Sequence, residues 1–167
     1  MVGEPATIWR WLADVPDPEI PAVSVVDLGI VRGVRWDDGA ARWVVTVTPT
    51  YSGCPATEVI ADSIREALQQ RGVDRPLVEM QLSPAWTTEW MTPIAREKLR
   101  GYGIAPPAEQ PIDASRILRR AASAPTVACP RCGSTHTERL SEFGSTPCKA
   151  LYRCRDCREP FDYFKAH

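Results

Sequence analysis

The sequence predicts an α+β protein in two parts, a domain of mixed helices and strands followed by a small C-terminal zinc ribbon. Three observations carry that expectation. Apolar, β-branched segments flank the turn signal Asp37-Asp38-Gly39, which reads as a β-hairpin. Residues 55–71 carry an apolar stripe at helical spacing. Near the end of the chain, Cys129-Pro130-Arg131-Cys132 and Cys154-Arg155-Asp156-Cys157 form a pair of Cys-x-x-Cys knuckles. The boundaries expected are 1–104 for the first domain, 105–126 for a Pro/Ala-rich linker and 127–167 for the ribbon, within the room that 167 residues allow.

In chain order, residues 6–13 read as a short helix capped by Thr7, with Ile8, Trp9 and Leu12 inward. Asp14-Val15-Pro16-Asp17-Pro18-Glu19-Ile20-Pro21 breaks it, because closely spaced prolines forbid regular pairing. Asp17 and Glu19 in that stiff loop can bind a metal or a basic partner, or serve only as a solvated connection. Ser24 to Trp36 is strand-like, with Leu28, Ile30, Val34 and Trp36 on one face, Arg32 interrupting it, and Gly29 and Gly33 marking bends or a bulge. Arg42 to Thr48 is the returning strand. The 55–71 helix follows, with Val59, Ile60, Ile64, Ala67 and Leu68 inward and Gly72 closing it. Val78, Met80 and Leu82 share one face of a third strand, opposite Glu79 and Gln81. Thr92-Pro93 opens a helix over 93–100, preceded by a tract with Trp86 and Trp90 suited to core packing or a lid. The linker contains one or two helical turns around Ile117-Leu118.

The stretch Thr48-Pro49-Thr50-Tyr51-Ser52-Gly53-Cys54-Pro55 joins strand to helix. Proline suits the first helical position, which places Cys54 at the helix start, where free amides and the dipole favour a thiolate. Gly53 lets the backbone turn there. Cys54 therefore reads as a reactive or metal-binding thiol, or as a buried structural cysteine of the kind cores often contain.

Each knuckle delivers two sulfurs, so Cys129, Cys132, Cys154 and Cys157 make a closed tetrahedral site, with a hairpin between them. Zn²⁺ is the favoured ion, iron in a rubredoxin-like site the alternative, and two disulfides rank behind both. A module of about forty residues buries too little apolar surface to fold alone, so the metal supplies much of its folding energy. His136 reads as a surface residue. Cys148 is a fifth thiol, either reactive or core filler.

Composition narrows the function. Hydrophobic residues at 44% and charged residues at 25% are those of a soluble globular protein, and no apolar run is long enough for a transmembrane helix or a signal-peptide core. A net charge of −1, and seven Lys/Arg against five Asp/Glu over 126–167, leave no basic stripe for nucleic acid. Phe161, Tyr163 and Phe164 could stack on bases but equally suit a small core. Six cysteines without a secretory signal fit a reducing, cytoplasmic setting.

Asp17-Pro18-Glu19-Ile20-Pro21, Val25-Val26-Asp27-Leu28-Gly29-Ile30-Val31 and the Thr48–Pro55 stretch together resemble the MIP18 (DUF59) family, which is linked to iron–sulfur cluster assembly and delivery. Trp90-Met91-Thr92-Pro93, Tyr102-Gly103-Ile104-Ala105-Pro106-Pro107, the first knuckle, Phe143-Gly144-Ser145-Thr146-Pro147-Cys148-Lys149 and Glu159-Pro160-Phe161-Asp162-Tyr163-Phe164-Lys165 look like the PaaD (PaaJ) family of phenylacetate degradation. The resemblance spans nearly the whole chain. It implies a small two-layer α/β domain, helices on a short mixed sheet, ahead of the ribbon. It also implies an accessory subunit of the ring 1,2-phenylacetyl-CoA epoxidase, a multicomponent di-iron monooxygenase. Partners would be the epoxidase subunits, above all the iron–sulfur reductase component, and the iron–sulfur assembly machinery, with a homodimer usual.

The chain has no di-iron Glu-x-x-His pairs, no flavin or nucleotide fingerprint and no ferredoxin cysteine run, so it is neither the oxygenase nor the reductase. A non-catalytic maturation factor is the preferred expectation. Cys54 would be a ligand for a transient iron–sulfur cluster, and Asp17 and Glu19, the family's acidic loop, would lie nearby as secondary ligands or orienting groups. One thiol does not hold a cluster, so a second copy of Cys54, or Cys148, would share it. The alternative is a scaffold bridging epoxidase components through the tryptophan tract and the ribbon. A cysteine nucleophile acting on a CoA thioester ranks last, because neither His136 nor His167 is placed by a motif as its base.

Overall fold

A computed structural model describes residues 4–51, 53–107 and 126–166. They group into two compact units, one ending at Lys98 and one running Leu99–Ala166. The expected helical turns at Ile117-Leu118, and most of the expected linker, lie outside the described residues.

In the first unit, helix α1 (Pro5–Leu12) starts on Pro5 at its first turn rather than on a Thr7 cap, and Thr7 Oγ1 instead accepts from Arg10. It buries Ile8 and Leu12 and leaves Trp9 half-buried. Strands β1 (Val31–Asp37) and β2 (Arg42–Val47) form the expected hairpin, with Asp37 Oδ1 accepting the Gly39 and Ala40 amides at its turn. The predicted irregularity is a register shift between Val31 and Gly33. Helix α2 (Thr57–Gln69) crosses over to β3 (Leu77–Met80), which lies parallel to β2, giving the order β1-β2-β3. α1 packs against α2 and β1, and α2 against β3. Central β2 is buried on both faces, Trp43, Val45 and Val47 on one and Val44 on the other.

Two further expectations change. The α2 stripe is Ile60, Ala61, Ile64 and Leu68, while Val59 points outward at 51% exposure. The expected strand over Ser24–Trp36 begins only at Val31, because the preceding residues turn on themselves. There Leu28 and Gly29 donate to Ser24 and Val26 carbonyls, and Asp27 and Ser24 exchange side-chain-to-backbone hydrogen bonds. That turn carries the tryptophan tract. Trp86 Nε1 donates to the Leu28 carbonyl at 2.9 Å, Thr92 N donates to the Asp27 carbonyl, and Arg32 stacks 3.5 Å from the Trp90 ring centre. The tract is a strap on the Ser24–Gly29 turn.

Lys98 Nζ sits 2.6 Å from Asp27 Oδ2. Burial raises the Asp27 carboxyl, but the Lys98 and Ser24 hydrogen bonds outweigh it and hold the carboxyl below 3.8. Asp27→Ala is expected to cost about 2 kcal/mol, measured as a shift of the urea midpoint. Because the folded value is the depressed one, this contribution is complete above 3.8 and fades as the pH falls below it, so the variant and parent should converge in acid.

Helix α3 (Pro93–Tyr102) opens as expected, with Thr92 Oγ1 accepting the Ala95 amide, and runs from the first unit into the second. In the second unit a four-stranded sheet has the order β4-β7-β6-β5, from β4 (Ile104–Ala105), β5 (Thr137–Ser141), β6 (Lys149–Cys154) and β7 (Pro160–Phe164). The β5–β6 pair is the hairpin between the knuckles, and β4 pairs parallel to β7, so Ile104 and Ala105 join the ribbon sheet. Phe161, Tyr163 and Phe164 are buried, so their rings belong to the core and are not available for base stacking.

Candidate functional site

The ribbon cysteines meet. Cys129, Cys132, Cys154 and Cys157 bring their four Sγ atoms within 4.8 Å of one another, with Cys129–Cys157 at 3.8 Å and Cys132–Cys154 at 3.6 Å. A tetrahedron with metal–sulfur bonds of about 2.3 Å has edges of about 3.8 Å, so the donors lie close to the spacing of a four-thiolate site. None of the six cysteines is in a disulfide. The Cys157 amide, with that of Asp156, holds the Cys154 thiol down to about 7 against the cost of desolvation. At Cys157 the Glu159 amide favours the thiolate, yet desolvation and the Cys154, Cys132 and Cys129 sulfurs push it up to about 12. The sulfurs therefore differ: Cys154 gives up its proton readily, whereas Cys157 keeps its own until a cation replaces it.

Backbone turns build the site. Cys129 N donates to the Ser134 carbonyl and Gly133 N to the Cys129 carbonyl, with Gly133 at φ +76°. Ser134 Oγ bonds Asp156, whose other oxygen lies 3.1 Å from His136 Nδ1, tying the two knuckles together. His136 is thus an exposed brace outside the sulfur cluster. Cys148 is buried and also outside the tetrad, with its sulfur 3.0 Å from Thr146 Oγ1.

Cys54 occupies a different setting. Helix α2 begins at Thr57, not Pro55, because Pro55 sits second in a turn closed by the Thr57 amide on the Cys54 carbonyl at 3.1 Å. Gly53, at φ +91°, supplies the sharp turn expected of it, while Ser52 lies outside the described residues. Cys54, 8% exposed, lines an open concavity with Pro49, Gly53, Pro55, Met80 and Leu82. Met80 ends β3, so the thiol lies at the carboxyl ends of the parallel pair β2 and β3, where open α/β sheets commonly receive ligands. Sequence reasoning does not find Met80 and Leu82 as neighbours of Cys54. Their spacing fixes a face but not what that face adjoins.

The acidic loop has local work. Asp17 is buried, and its Oδ1 accepts the Glu19 and Ile20 amides at 3.0 and 2.8 Å, while its own amide donates to the Val23 carbonyl. This pins the proline-rich loop as an Asx turn does. Glu19 is half-buried. Among the described residues, Cys54, Asp17 and Glu19 do not form a close group of three ligands; the ribbon tetrad does.

Comparison with known proteins follows the same division. Residues 5–74 match the family described as iron–sulfur cluster assembly protein, and residues 114–165 match the PaaD zinc β-ribbon domain. The chain is 56% identical over 159 residues to an Escherichia coli (strain K12) protein named for the 1,2-phenylacetyl-CoA epoxidase as one of its subunits, covering 95% of this chain and 90% of that one. It is 38% identical over 87 residues to an Fe-S protein maturation auxiliary factor of Porphyromonas gingivalis, covering 51% of this chain and 80% of the relative. A crystal structure of a DUF59 domain of unknown function from Bacillus anthracis is similar with a TM-score of 0.52 and 30% identity, over 57% of this chain and 90% of that one. The chain therefore belongs to the PaaD family, with a DUF59-type iron–sulfur cluster assembly domain and a PaaD zinc β-ribbon on one polypeptide.

Proposed function

We propose that this protein is a non-catalytic maturation subunit of a 1,2-phenylacetyl-CoA epoxidase system, and that it receives and hands on an iron–sulfur cluster through Cys54. The observation that carries the reading is the position of Cys54: a thiol at the carboxyl ends of two parallel strands, opening on a concavity, in the part of the chain that matches iron–sulfur assembly proteins. The cluster is cargo. The ribbon holds a structural Zn²⁺ through Cys129, Cys132, Cys154 and Cys157, which leaves no open position for chemistry. Clients are epoxidase subunits, above all the iron–sulfur reductase component, with the assembly machinery as donor, in the cytoplasm. Asp17 and Glu19, on the loop that the Asp17 carboxylate pins, serve as secondary or orienting groups for that cargo.

Anaerobic reconstitution with ferrous iron and sulfide tests this. Wild type is expected to gain an iron–sulfur absorption band that Cys54→Ala loses, with the ribbon metal unchanged in both. Equal iron and equal spectra in the two proteins would overturn direct carriage. A scaffold role is favoured by one observation, the exposed Leu140 and Phe143 on the ribbon, at 49% and 63%. It predicts that Cys54→Ala leaves the epoxidase active while disruption of the ribbon abolishes co-purification with its subunits.

A further inference from the structure

We propose that the outer edge of β3 pairs with the same edge of a second copy of this chain, antiparallel and centred on Met80, so that two Cys54 concavities share one cargo. The proposal rests on the reading of Cys54 as a cluster ligand. Cys54 is the only cysteine before Cys129, and one thiol leaves a cluster site incomplete. A second copy supplies the missing thiol by symmetry.

The edge is shaped for that partner. Among the described residues β3 is the last strand of its sheet. The Gln81 amide donates to the Val47 carbonyl, which turns the amides and carbonyls of Val78, Met80 and Leu82 away from β2. Among the described residues these outward groups have no backbone partner. Natural edges of this kind are normally blunted by lysine, proline or a bulge, and none of the three positions carries a charge or a proline. Met80 and Leu82 are 43% and 61% exposed, and both line the Cys54 concavity.

Register and charge agree. A twofold axis at Met80 sets Met80 opposite its own copy, where the two residues exchange both hydrogen bonds, and sets Val78 opposite Leu82. Glu79 then faces the neutral Gln81 of the second copy, and its charge is already met by Arg35 at 3.0 Å within its own sheet. Centring on Glu79 would instead place two carboxylates side by side, which antiparallel pairs disfavour. Since Met80 borders the concavity of Cys54, the axis brings the two concavities together.

The test uses sedimentation velocity on the full chain, reconstituted anaerobically with ferrous iron and sulfide. Wild type is expected to carry its Cys54-dependent band in the dimer. Met80→Lys places like charges at the axis and is expected to weaken the dimer by about tenfold or more. Met80→Cys in the Cys54→Ala background is expected to form a disulfide-linked dimer under mild oxidation, since opposed Cα atoms in such a pair lie about 5.5 Å apart, within disulfide reach. If Met80→Lys misfolds by circular dichroism, the cross-linking variant decides alone. A band carried by a monomer, or no cross-link above the Cys54→Ala parent, overturns the pairing and leaves the reading of Cys54 standing. A cross-link without any Cys54-dependent band overturns that reading and leaves the pairing standing.

Discussion

Cys154→Ser is expected to strip the chain of its tightly held metal and to unfold residues 127–166, while the unit ending at Lys98 stays folded. The buried cluster around the ligands is small: Ala105, Val127, Ala150, Tyr152, Phe161 and Tyr163, together with the ligands Cys129 and Cys154. Two of the four ligands are thus core residues, and Cys154 is fully buried. Structural zinc sites contribute on the order of 10 kcal/mol or more to modules of this size, more than so few apolar contacts supply. Serine keeps the volume but offers a poor zinc ligand, and it leaves three crowded sulfurs without their cation. Metal analysis should fall from about one ion per chain towards none. Limited proteolysis should cut the ribbon and spare the hairpin and α2. Acid should reach the same endpoint in wild type, because protons compete for the four sulfurs and metal affinity falls with pH. A Cys154→Ser protein that keeps both its metal and its protease resistance would refute the structural role.

How much of this is legible in the sequence depends on how local each signal is. The Asp37–Gly39 hairpin, the Thr92 cap and the knuckle spacing are decided by neighbours in sequence, and the structure has each of them. The Ser24–Gly29 turn is decided by partners far away: Trp86 reaches back 58 residues to Leu28, and Lys98 reaches back 71 to Asp27. Periodicity reads those residues as strand because apolar alternation does not record such closures. Pro55 is ambiguous for another reason. Proline suits both the first helical position and the second position of a turn, and here the Cys54 carbonyl closes the turn first. Val59, Met80 and Trp36 fall on apolar faces by pattern yet stand 51%, 43% and 43% exposed, since a pattern names a face without naming what covers it. Asp17 shows the same limit for chemistry. A carboxylate in a proline loop reads equally as a ligand or as part of a solvated connection, and this one accepts two amides of its own loop.

Gly29→Ala is expected to destabilise the first unit severely. Gly29 has φ +69°, a left-handed conformation that an alanine adopts only with strain. A Cβ built there would lie 2.7 Å from Trp90 Cβ and 2.8 Å from the Trp90 carbonyl carbon, with the carbonyl oxygen closer still. Two of those three atoms are backbone, so no rotamer change relieves the contact. The strap would have to lift. Lifting it strains the Trp86 hydrogen bond to Leu28 and the Arg32–Trp90 stack, both of which meet the same turn. Backbone strain and overpacking each cost about 1–3 kcal/mol, and they act together here, so a loss of roughly 3–5 kcal/mol is expected. That is a large part of the stability of an ordinary domain. The measurement is the urea midpoint followed by tryptophan fluorescence. Gly53→Ala is the control, because it shares the positive φ (+91°) but its Cβ would meet nothing within 4 Å. If the two substitutions cost the same, backbone strain alone explains Gly29, and the Trp90 strap is not what the glycine accommodates.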